Sequence, residues 1–158
     1  MWESGWEWQS DAEDHKHKLG VQITPLREAL ERFSGSVFTR KLNVSDAMTP
    51  LSTSDEPLRE IHRMVHDLPY DCDPLDWIEC FIGVDQHPQK TGRVFCSAFV
   101  SLVYTKGGIL KPDTDWSMIR PCDLAAAAPT PDQEGVHLVK FTEGCGLGPP
   151  QRLCLPVD

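Results

Sequence analysis

The stretch Gly92-Arg93-Val94-Phe95-Cys96-Ser97-Ala98-Phe99-Val100-Ser101-Leu102-Val103-Tyr104-Thr105-Lys106-Gly107-Gly108 constrains the chain more than any other. Counting from Cys96, apolar residues recur at Phe99, Val100, Val103 and Tyr104, the spacing of a helix with one buried face. Gly107 and Gly108 then stop it. Cys96 is thereby expected in the first turn of a buried helix. Unpaired backbone N–H groups and the positive end of the helix dipole favour a thiolate there. A nucleophilic cysteine is the leading reading, and a small apolar residue filling a core helix is the alternative.

The remaining composition narrows the function classes. A chain of 158 residues has the length of one ordinary domain and can bury a core without disulfide staples. Its 15 Lys plus Arg against 24 Asp plus Glu leave a net charge of -9, which disfavours nucleic acid as a partner. Six cysteines stand at positions 72, 80, 96, 122, 145 and 154 without a CxxC pair, so a structural zinc site has no support from spacing. No secretory signal is visible, and reduced thiols are expected. No run approaches the roughly 18 apolar residues of a membrane span, so the expectation is a soluble, intracellular protein without a transmembrane segment. Nothing in the sequence signals a cofactor or sets an oligomeric state.

Along the chain, Trp2, Trp6 and Trp8 alternate with polar residues as in a strand with one buried face. A core strand beginning at residue 1 hints at upstream sequence. Residues 11–18 read as a solvated polar loop holding His15 and His17, and residues 20–23 as a short strand. Thr24-Pro25 supplies an N-cap and a first-turn proline for an amphipathic helix through Leu26, Ala29, Leu30 and Phe33. Residues 37–42 then complete a strand–helix–strand unit. A helix over 54–67 carries Leu58, Ile61, Met64, Val65 and Leu68 as its apolar stripe.

His62 and His66 share a face of that helix, as two zinc ligands would. Arg63 stands where zinc proteases place a glutamate, and the pair is read as the polar flank of the helix. Residues 71–76 miss the calcium-loop pattern, because Leu75 replaces an oxygen ligand, and Asp73 is read as the cap of a short helix through Phe81. Residues 84–92 form a polar loop leading to Cys96. After an ordered segment over 118–124 and a linker at 129–134, residues 136–141 alternate as a strand. Residues 152–156 are expected to return beside it across a turn region at 144–150.

The order of Trp2-Glu3-Ser4-Gly5, Gly20-Val21-Gln22-Ile23-Thr24-Pro25-Leu26, Arg40-Lys41-Leu42, Phe95-Cys96-Ser97-Ala98-Phe99-Val100 and Ile119-Arg120-Pro121-Cys122-Asp123-Leu124 resembles the circularly permuted papain-fold hydrolases. These are the YiiX-like relatives of NlpC-type cell-wall peptidases and of lecithin–retinol acyltransferases. The resemblance implies an α+β, papain-like domain over 1–158, with a small antiparallel sheet or partial barrel packed against helices. It also implies Cys96 as the nucleophile and Glu3 as the carboxylate that orients an imidazole. The family's His-Val-Gly-type strand belongs upstream of Glu3, and the chain begins at Met1 instead, so an N-terminally incomplete domain is expected.

Imidazole must take the thiol proton and protonate the leaving group. Within this chain His137, on the strand predicted after Cys96, and His87, in the loop before it, are the substitutes. The function expected is hydrolysis or acyl transfer at an amide, ester or thioester bond of a peptide, cell-wall or lipid substrate. The rival expectation is an inactive papain-fold module that binds a peptide or acyl group.

Overall fold

The computed structural model describes residues 1–5, 10–44, 55–73, 92–126 and 139–153. The predicted elements at Trp6 and Trp8, over 75–81, and around His87 and His137 lie outside these residues.

Strand β1 (Trp2–Gly5) pairs antiparallel with β2 (Gly20–Ile23), with Glu3 opposite Gln22 and Ser4 opposite Val21. Side chains alternate across a strand. Trp2 and Ser4 therefore face one side, where Trp2 packs on the core and the Ser4 hydroxyl donates to the Val94 carbonyl at 2.8 Å. Glu3 and Gly5 face the other.

From this hairpin the backbone steps across to the cysteine. Val21 donates to the Leu68 carbonyl at 2.8 Å and Tyr70 to that of Leu19 at 2.9 Å; Val94 then donates to Pro69 at 3.1 Å. Gly20 makes the approach possible, because a Cβ there would lie 2.2 Å from the Leu68 carbonyl oxygen and its φ of +152° is left to glycine.

Helix α1 (Leu26–Arg32) follows β2, but Pro25, not Thr24, occupies the cap position. The Thr24 hydroxyl is drawn to Glu3 instead, which corrects the predicted cap. No residue of α1 is buried, so its weak apolar stripe lies near the surface.

The expected strand over 37–42 is two short ones, β3 (Phe38–Thr39) and β4 (Leu42–Asn43). Between them Arg40 turns its guanidinium onto carbonyls of Leu124, Ala125, Leu147 and Gly148 at 2.6 to 3.3 Å. That fork of fixed donors is what splits the strand. A strand–helix–strand unit does not form. β3 pairs with β6 (Gln151–Arg152), and β4 with β5 (Gly146–Leu147) inside the predicted turn region. The predicted pairing of 152–156 with 136–141 is corrected at Arg152, which lies opposite Phe38, while Phe141 bridges Leu110.

Helix α2 (Glu56–Val65) and helix α3 (Cys96–Lys106) supply the core. Val21, Ile61, Val65, Val94, Ala98, Phe99, Leu102 and Trp116 form one buried cluster. A 3₁₀ turn at Trp116–Met118 and helix α4 (Pro121–Ala126) lie against α3. The fold class is thus α+β, with helices beside small antiparallel sheets. No helix among the described residues is long and apolar enough to cross a membrane.

Candidate functional site

Helix α3 forms where its spacing predicts and ends at Gly107, but its buried face is rotated. Ser97, Ala98, Phe99, Ser101 and Leu102 are buried, whereas Val100, Val103 and Tyr104 are only partly covered. Small side chains let the helix press closely against β1 and the Trp116 turn. Cys96, counted as the start of the buried stripe, stands exposed at the first helical position. The core-filling alternative for this cysteine is thereby removed.

The cap residue Phe95 offers no side-chain acceptor, and its carbonyl takes the first helical bond, from Phe99 at 2.9 Å. The N–H groups of Cys96, Ser97 and Ala98 thus begin the helix without a side-chain cap beside the thiol.

Tyr70 completes this corner. Residues 70 and 94 are bridged in parallel, which sets Tyr70 beside Cys96. Burial raises Tyr70 above the ordinary tyrosine range, and the neighbouring Cys96 and Cys72 thiols raise it further. The phenol therefore keeps its proton at neutral pH. Among the described residues Cys96 has Tyr70 as its side-chain partner and no histidine.

Glu3 lies on the far face of β1 from the Ser4 contact. Its Oε1 accepts from Gln22 Nε2 at 3.0 Å and from the Thr24 hydroxyl. Both partners are buried, and among the described residues Glu3 touches no imidazole. The two site residues read from sequence thus occupy different settings: Cys96 at a helix start with Tyr70, Glu3 inside a polar cluster of the hairpin.

A second polar constellation gathers where the 11–18 segment meets the end of α2. That segment is largely the exposed polar loop expected, but Asp11 within it is buried. Asp11 is 1% exposed, and Lys18 Nζ binds Asp11 at 2.8 Å, Asp14 at 3.0 Å and Asp67. Burial pushes the Asp11 carboxyl up, but Lys18 and the Glu13 N–H outweigh it and hold the group below its usual range. Glu13 is turned toward α2 by this packing. Its Oε2 lies 2.9 Å from His62 Nε2 and 3.5 Å from His66 Nε2. These three side chains can reach a common ion.

Sequence reasoning missed Tyr70 and Glu13 as partners of the residues it singled out. Neither carries a local motif, and both are brought in by tertiary pairing. No protein-family model matches the chain, and no curated protein or solved structure is similar to it.

Proposed function

We propose that this chain is a cysteine-nucleophile hydrolase or acyltransferase with a permuted papain-like architecture, acting on an amide, ester or thioester bond of a peptide, cell-wall or lipid substrate. The observation supporting the reading is the exposed Cys96 thiol at a helix start without a side-chain cap, with Tyr70 beside it. The thiolate adds to the carbonyl carbon, and the oxyanion is held by N–H groups of the first turn of α3. Collapse expels the amine, alcohol or thiol, and water or an acceptor then cleaves the acyl–sulfur bond. Tyr70 sits where it can donate to sulfur or to the departing group. An imidazole, for which His87 and His137 are the candidates in this sequence, takes the thiol proton and returns it to the departing group.

A second reading, a binding module without turnover, is favoured by the commitment of Glu3 to Gln22 and Thr24. Competitive labelling with limiting iodoacetamide, mapped by peptide mass, tests the nucleophile. Cys96 is expected to alkylate ahead of Cys72 and Cys122, the other exposed thiols among the described residues, and Tyr70→Phe to change the Cys96 rate more than that of Cys122. Equal, slow alkylation of all three would reject the assignment.

A further inference from the structure

We propose that Glu13, His62 and His66 form a binding site for a zinc-class divalent cation, independent of the chemistry at Cys96. His62 lies on α2 and His66 caps its C-terminal end, with the His66 N–H bonded to the His62 carbonyl at 2.8 Å, which brings the two rings together. Glu13 comes from a distant segment and places one carboxylate oxygen against both Nε2 atoms, at 2.9 and 3.5 Å. Ligand atoms bound tetrahedrally to zinc at about 2.0–2.1 Å lie roughly 3.3 Å from one another, and the two distances straddle that value.

The surroundings orient the ligands. His66 Nδ1 lies 3.3 Å from Asp67 Oδ2, the carboxylate partner that fixes a ligating imidazole with Nε2 toward the metal. Asp67 is itself held by Lys18, and its φ of 61° turns the chain back at the helix end. The His62 ring stacks on Trp2, with centroids 5.5 Å apart. Both nitrogens of His66 thus face carboxylate oxygens. A neutral imidazole has one N–H, so either a second ring proton or a cation at Nε2 is needed to satisfy both contacts.

Two imidazoles with one carboxylate suit zinc rather than calcium or magnesium, which take oxygen ligands. Asp14 and Asp67 could form a rival set with His66, but both already bind the Lys18 ammonium. The side chains of His62, His66 and Glu13 are 24%, 33% and 43% exposed, which leaves room for water as a fourth ligand. The sequence showed the two histidines and not the third ligand.

The test is zinc binding by the full chain, measured by competition with a chromophoric chelator before and after alkylation of the thiols. Cobalt absorption of the wild-type protein is recorded alongside. One zinc per chain is expected, retained after alkylation, with a cobalt spectrum lacking thiolate charge transfer. Asp67→Asn should weaken binding ~10–100-fold, and His66→Gln, with folding checked by circular dichroism, should weaken it further. Absence of uptake by the folded wild-type chain, loss of zinc on alkylation, or unchanged affinity in His66→Gln would each overturn the site. Should a variant fail to fold, the wild-type cobalt spectrum and the alkylated sample decide alone.

Discussion

Replacing Lys18 with Met removes the ammonium that Asp11, Asp14 and Asp67 share while keeping most of the apolar stem. The side chains of Lys18 and Asp11 are 12% and 2% exposed, so this pair is largely withdrawn from water. Removing one partner of such a pair leaves an uncompensated charge and costs about 3–5 kcal/mol. Asp11 keeps the Glu13 N–H at 2.7 Å, which places the expected loss near the lower end, about 3 kcal/mol. With a urea slope of about 2 kcal/mol per molar, the unfolding midpoint falls by roughly 1.5 M.

The pH dependence carries a second signature. Burial lowers Lys18, but Asp11, Asp67 and Asp14 outweigh it and raise the ammonium above its ordinary value. Its contribution is complete below the unfolded lysine pKa of about 10.4 and fades as pH rises through the higher folded value. Asp11, held low, contributes above its unfolded pKa of about 3.9 and loses that contribution as pH falls toward the folded value. Lys18→Met should therefore flatten both limbs of the stability profile, and Asp11→Asn combined with Lys18→Met should recover part of the loss. A loss under about 1 kcal/mol, the worth of an exposed pair, with unchanged limbs would refute the buried-hub account.

Two further changes probe the frame around α3. Gly20→Ala sets a Cβ 2.2 Å from the Leu68 carbonyl oxygen, at a backbone contact that cannot yield, and should cost at least about 2 kcal/mol by thermal or urea unfolding. Near-neutral stability would mean that β2 does not approach residues 68–70 this closely. Ser101 is fully buried, with no hydrogen-bond partner for its hydroxyl among the described residues. Ser101→Ala should stabilise the protein by about 1 kcal/mol. A loss of similar size would expose a partner for that hydroxyl.

Local pattern and tertiary choice divide clearly in this chain. The strand at 20–23 and the end of α3 at Gly107 were legible because alternation and glycine act through neighbours in sequence. The face of α3 was not. Counting large apolar residues overlooks Ser97, Ala98 and Ser101, whose smallness, rather than hydrophobicity, puts them inside. The 37–42 strand broke because Arg40 found carbonyls more than eighty residues away in sequence. The exposed 11–18 loop was legible, but the burial of Asp11 against Lys18 within it was not, because a linear reading cannot show which acid the tertiary fold covers. The Cys96 position was readable from helix spacing, while Tyr70 beside it and Glu13 beside His62 depend on crossings that no local spacing encodes.

A nucleophilic Cys96 must carry an acyl group during turnover. Incubation of the full chain with an activated acyl ester or thioester, quenched in acid and read by intact mass and peptide mapping, measures this. The expected result is one acyl adduct per chain on Cys96, formed with release of the leaving group, absent in Cys96→Ala and retained in Cys72→Ala. A chain that stays unmodified, or one acylated on Cys72 or Cys122 with Cys96 untouched, would contradict a nucleophile at the head of α3.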